Sequence, residues 1–300
     1  MLKMTTVGNS KGRGWAFKDE KHQSLLRRPG RTLLPDNNEC SVLINELDTL
    51  IKDMKDVNIN MEKIQTLFAT TTDGMSSNVS KQFLDYAFGN KKFGYKLAML
   101  ASDQEFSAIN WNDTNMQKII ITRLQRDYEN REQILKEDVN HFRNIVDFFG
   151  SFLYYKGILS FLMASPLFVY LNMLLELGTA EDIELMAAKF TQIWATLIKD
   201  LKKKNTSIEE MDDIKSFLIN VRKKVLGGNL ANPSLSWLLF IIDLSCYSGN
   251  LPAYLKELHS SNLKILNSIY MIYLDDQDIP KKEHTAPRAI KGSHVNQQSN

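Results

Sequence analysis

Few side chains in this 300-residue chain could do chemistry, and those few are scattered. The five histidines, His22, His141, His259, His284 and His294, share no metal-ligand spacing with a cysteine, an acid or one another. His141 opens an apolar stretch and is expected to be structural or half-exposed. Three acid pairs, Glu209-Glu210, Asp212-Asp213 and Asp275-Asp276, fall at helix ends or in loops and read as solvated faces, not as an acid/base couple. Gly8, Gly12 and Gly14 have the composition of a phosphate loop, but no strand leads into them. The GxxxxGK[ST], GxSxG and HExxH patterns are missing as well. The expectation is therefore no catalytic residue, no metal and no cofactor, in a protein that is not an enzyme.

Cations form the remaining candidates. Arg13, Trp15, Lys18, Arg27 and Arg28 mix positive charge with an aromatic near the start of the chain. Lys202, Lys203 and Lys204 end one expected helix, and Arg222, Lys223 and Lys224 end the next. Cations there complement the helix dipole. If the two helices are antiparallel, the runs lie at opposite ends of the hairpin and make no single patch. The five residues near the start and Lys202–Lys204 are the candidate contacts to RNA or to a protein partner.

The elements that must position these residues are helices. At 43% hydrophobic and 24% charged, the bulk of the chain is globular. Its net charge of +2 hides an uneven layout: residues 1–35 carry eight Lys or Arg against Asp19 and Glu20. Residues 277–300 carry four against Asp278 and Glu283, which leaves the intervening body acidic, unlike a basic nucleic-acid-binding domain. Cys40 and Cys246 match no disulfide framework, as expected of a reduced setting. The first fifteen residues lack the apolar run of a leader. Residues 157–175 carry no charge, yet Ser165-Pro166 reads as an N-cap and N1 proline that splits them into two core helices, so no membrane span is expected.

Residues 1–37 read as an irregular basic arm, broken by Gly8, Gly12, Gly14, Pro29, Gly30 and Pro35. From Cys40 the apolar spacing is helical. Helices are expected in SVLINELDTLIKDM, NMEKIQTLFATT, NVSKQFLDYAFG and FGYKLAMLA, with Gly89 and Asn90 ending the third. A loop over about 102–114 leads to helices at about 115–136, 138–156, 166–177 and 180–203. Further helices are expected before Gly227-Gly228, from Pro233, and in PAYLKELHSSNLKILNSIYMIYL. No segment alternates as a strand would. The fold class is all-α, with antiparallel hairpins stacked as in a HEAT-like solenoid over 38–276 and a basic tail at 277–300.

In the helix over 115–136, Ile121, Leu124, Tyr128 and Leu135 make one apolar stripe. Arg123, Arg126, Asp127, Glu129, Asn130 and Gln133 lie off it, and Asp127–Arg131 and Glu132–Lys136 are suited to i,i+4 ion pairs. The run ITRLQRDYENREQIL followed by HFRNIVDFFGSFLYYKGI resembles the central helices of the eukaryotic initiation factor 4G middle-domain family. Leu124, Gln125, Tyr128, Arg131, Glu132 and Gln133 match the form seen in small adaptor-type members, and SLSWLLFIIDLSCYSGNLP resembles a later helix of that family. The chain is similar either to such a member or to the front part of a Mextli-like protein, which joins such a domain to a KH domain.

The resemblance implies a non-enzymatic HEAT-repeat scaffold in translation initiation or mRNA metabolism, acting in the cytoplasm with the nucleus also open. Its implied partners are a DEAD-box helicase, an initiation factor, or a cap- or RNA-end-binding protein. Tyr95 and Leu100 fit a cap-protein-binding motif poorly because Ala101 follows, and Tyr95 is expected in the core. Direct RNA binding by the basic arms is the alternative.

Overall fold

The computed structural model describes residues 38–51, 61–71, 77–111, 114–157, 161–247 and 251–263, and nearly all of them are α-helical. The first helices are α1 (Asn38–Ile51), α2 (Met61–Thr71), α3 (Ser77–Gly89), α4 (Lys91–Ser102) and the short α5 (Gln104–Ala108). Next come α6 (Met116–Glu129), α7 (Arg131–Glu137), α8 (Val139–Lys156), α9 (Phe161–Leu177) and α10 (Ala180–Lys203). The last three are α11 (Asp212–Leu226), α12 (Asn232–Cys246) and α13 (Ala253–Leu263). The all-α expectation holds. The expected arm at 1–37 and tail at 277–300 lie outside the described residues, with Arg13, Trp15, Lys18, Arg27 and Arg28.

Local chemistry sets the helix ends. Thr179 caps α10 by accepting from the Asp182 N–H at 3.3 Å and donating its hydroxyl to the Asp182 carboxylate at 2.5 Å. Glu181 and Asp182 sit in the positive first turn, and Lys202 and Lys203 in the negative last one. Asn90 ends α3 and caps α4 by accepting from Phe93 N–H at 3.1 Å. Gly157 closes α8 at φ +63°, a conformation that costs glycine nothing.

Three expectations about elements are corrected. The helix expected over 115–136 breaks at Asn130, whose side-chain amide donates to the Arg126 carbonyl at 2.7 Å. The Asn130 backbone N–H donates to the same carbonyl at 3.1 Å, so backbone and side chain share that acceptor, and α7 restarts beyond it. The helix expected to begin at Pro166 begins at Phe161, with the proline inside it. Ser165 is no N-cap: its hydroxyl donates to the Asp213 carboxylate on α11, which also removes Asp213 from the solvated acids. A two-residue antiparallel pairing of Asn110-Trp111 (β1) with Thr114-Asn115 (β2), too short to alternate, closes the loop before α6.

Packing relates alternate helices. Arg143 on α8 donates to Asp182 on α10 at 2.7 Å, and two turns further along Ser151 accepts from Lys189 at 2.8 Å. Both contacts advance toward the C-termini, so α8 and α10 run parallel. On the other side of the stack, Ser165 meets Asp213 and Asn172 meets Asn220, so α9 and α11 are parallel too. Aromatic edges fill the space between: Phe168 lies against Phe190 and Phe217, and Phe190 stacks on Trp194 with centroids 4.7 Å apart. The Trp194 indole N–H donates to the Leu244 carbonyl of α12 at 3.1 Å.

The α8–α10 seam contains a buried ion pair. The Lys189 ammonium is 2.5 Å from the Asp147 carboxylate and also donates to Gln192 at 3.2 Å. Burial pulls the Lys189 pKa down, and Asp147 opposes that pull. The lysine stem fits because residue 150 has no side chain: a Cβ on Gly150 would lie 2.6 Å from Lys189 Cδ. In an exposed helix, Gly→Ala gains about 1 kcal/mol. Here Gly150→Ala should instead destabilise by about 1–3 kcal/mol through overpacking, read as a lower urea midpoint. A raised midpoint would show that the two helices are not in contact at this point.

Candidate functional site

The six residues that carry the sequence resemblance fall on both sides of the α6–α7 corner, and the structure divides them. Leu124 is buried, and Tyr128 is half-buried with its ring edge-on to Tyr170, centroids 5.6 Å apart. The Arg131 guanidinium lies 4.5 Å from the Tyr128 ring centroid and donates to the Tyr128 carbonyl at 2.9 Å. These three hold the corner. Gln125, Glu132 and Gln133 are exposed. Gln125 donates to Glu129 at 3.1 Å and Gln133 to Glu137 at 2.7 Å, each one turn along its own surface.

The buried stripe of α6 is shifted by one residue from the expected one. Ile121 is 37% exposed, whereas Ile120 is fully buried. Arg123 and Asp127, expected on the outer face, are 7% and 4% exposed. Arg123 Nε donates to Asp127 at 2.6 Å, and its Nη1 donates to the Asp85 carboxylate on α3. Its guanidinium also lies 4.9 Å from the centroid of Phe88. Asp127, engaged by Arg123 and approached by Arg126 at 3.7 Å, is not paired with Arg131. Neither Asp127–Arg131 nor Glu132–Lys136 is among the ion pairs of the described residues. A buried cation demands a partner more strongly than an exposed pair rewards one, so the interior site takes the carboxylate.

Two groups from other helices close on this pair. Burial pulls the His141 pKa below its ordinary value of 6.5, helped by the Arg123 charge and opposed by Asp127, Asp138 and Asp85. Burial and the Asp127 charge push the Tyr170 phenol up, and its buried hydroxyl has no partner. The cluster thus joins α3, α6, α8 and α9 at one polar centre. Local spacing does not decide between the two faces: Ile120, Leu124 and Asp127 share one as well as Ile121, Leu124 and Tyr128 share the other.

Elsewhere, Ser151 and Lys189 have the spacing of a nucleophile and its base, but the serine is fully buried and the ammonium engages Asp147. Their arrangement fastens two helices. Tyr95, expected in the core, is 39% exposed, its ring edge against Tyr155. Lys202, Lys203 and Lys204 are exposed at the end of α10. Lys224 reaches back to Gly178, beside the start of α10, so the two basic runs are separated by the length of that 24-residue helix, about 36 Å. Among the described residues there is no group of three or more His, Cys, Asp or Glu that could hold a metal ion, and no helix is long and apolar enough to cross a membrane. No family model matches the chain.

The shifted stripe can be tested by contrast. Asp127→Ala leaves Arg123 without its buried partner and should cost about 3 kcal/mol, whereas Glu132→Ala should change stability by no more than about 0.5 kcal/mol. Urea titration of both variants reads the difference, and equal effects would refute the burial of Asp127.

His141 supplies a pH test. With its folded-state pKa below 6.5, the unfolded chain takes up the proton first. Its contribution to stability is therefore complete above pH 6.5 and shrinks as pH falls below it. His141→Gln should flatten that part of the stability–pH curve, and an unchanged slope would assign it to other groups.

Proposed function

We propose that this protein is a non-enzymatic adaptor of translation initiation or mRNA metabolism, related to the eukaryotic initiation factor 4G middle-domain family. It docks a DEAD-box helicase, an initiation factor or a cap- or RNA-end-binding protein on its helical surface. The observation that carries the reading is the parallel packing of alternate helices, at sequence offsets of 39 and 38 residues for α8 and α10 and of 48 in both contacts of α9 and α11. The two offsets bracket the roughly 40–47 residues of a HEAT-type hairpin. Stacks of such hairpins work by presenting extended surface. The resemblance on α6–α8 adds the family, and its exposed members Gln125, Glu132 and Gln133 offer polar contacts at the rim. The implied setting is the cytoplasm, with the nucleus also open.

Affinity capture of the full chain with mass spectrometry, with and without RNase, tests this. A helicase, initiation factor or mRNA-end-binding protein should be recovered, survive RNase, and remain after deletion of residues 1–35. If none is retained after RNase, the adaptor reading fails. If binding also disappears with residues 1–35 and weakens steeply with salt, the basic arm binds RNA directly.

A further inference from the structure

We propose that the outer face of α4, formed by Lys91, Lys92, Tyr95 and Lys96, binds single-stranded RNA, with phosphates on the lysines and a base stacked on the Tyr95 ring. Packing fixes which face of α4 looks outward. Phe93, Leu97, Ala98 and Leu100 are buried, and a Cβ on Gly94 would lie 2.6 Å from the Ala87 carbonyl oxygen of α3. The opposite side carries Lys91, Lys92 and Tyr95, all exposed, and the half-buried Lys96. Lys91–Tyr95 and Lys92–Lys96 are i,i+4 pairs, so the four residues form one patch. The Tyr95 ring is edge-on to Tyr155 of α8 with centroids 5.8 Å apart, and the two hydroxyls are hydrogen-bonded to each other. A ring held at its tip and edge, yet 39% exposed, is a rigid platform for stacking.

The sequence around the patch lacks acids. Residues 86–102 contain none, and none lies between Asp147 and Glu176. The flanking acids are engaged elsewhere: Asp85 by Arg123, Asp103 by the Glu105 and Phe106 N–H groups that it caps, and Asp147 by Lys189. Glu105 accepts from Gln65 at 3.4 Å. Three lysines on one face attract a polyanion, and the ring beside them selects among polyanions. Among the described residues of α4 and α8, Tyr95 is the one large hydrophobic that is exposed, whereas a membrane-binding face needs a broad apolar side. A single ring suits a base, because every base has a face to stack, and lysines hold phosphates as point charges. The patch belongs to the helical body, apart from the basic residues at 1–35, and stands whether or not the protein is an adaptor.

Fluorescence anisotropy of the full chain with a labelled single-stranded RNA of about 12 nucleotides provides the test. Combining Lys91→Gln, Lys92→Gln and Lys96→Gln should weaken binding at least about tenfold. It should also reduce the slope of log K against log[salt] by about 2, since each phosphate contact on a single strand contributes about 0.7. Tyr95→Ala should weaken binding about fivefold or more with the salt slope unchanged, and Tyr95→Phe should stay within about twofold. Lys202→Gln with Lys203→Gln, at the exposed end of α10, should leave affinity unchanged. An unaltered urea midpoint shows that each variant is folded. The proposal is overturned if the parent chain does not bind, if the triple variant binds as the parent does, or if the α10 variant loses as much as the triple. It also fails if Tyr95→Ala has no effect, or if polyglutamate or phosphatidylserine vesicles displace the RNA at equal charge. Purified protein and RNA are the only components, so this outcome is separate from whether a captured protein survives RNase.

Discussion

A charge that leaves water must find its opposite, and this constraint fixes the register of the helices. Lys189 meets Asp147 between α8 and α10, Arg143 meets Asp182 at the start of the same seam, and Arg123 meets Asp127 and Asp85 between α6 and α3. Apolar side chains tolerate sliding by a turn, because one ring can replace another against a neighbouring helix. A buried ammonium does not tolerate it, since displacement by a turn leaves an uncompensated charge in the interior. The aromatic packing supplies the mass of the core, and the ion pairs specify which of its alternative registers is occupied.

The same logic explains what could be read from the amino-acid order. Helical spacing is repeated from Cys40 to the last described helix, so the fold class was legible throughout. The face of α6 was not, because Ile120 and Ile121 make equally good apolar stripes with Leu124. Hydrophobic spacing ranks Arg123 and Asp127 as outer residues, and only the carboxylate of Asp85, 38 positions earlier, makes their burial affordable. Such a partner is invisible to any local window. Asn130 and Pro166 show the converse limit. Each carries a strong local signal, but the chain broke at the asparagine, where the side-chain amide joins the backbone N–H on the Arg126 carbonyl, and continued through the proline.

The polar centre around Arg123 shows why a sequence signature and a functional surface need not coincide. Tyr128 and Arg131 are spent on each other and on Tyr170, so their identity reports how the α6–α7 corner is built. The neighbouring Gln125, Glu132 and Gln133 are free of the core and can be read by another molecule. A resemblance spread over both sets therefore covers residues that build the corner and residues that lie on its surface.

Gly150 imposes an order on any change at this seam. The space its missing side chain leaves is filled by the stem of Lys189. A lineage could shorten position 189 first and acquire a methyl at 150 afterwards, but the reverse order passes through a clash. Once a larger residue occupied position 150, a lysine could not return to 189 without undoing the earlier change. Two positions on different helices are thus tied into an ordered sequence of substitutions.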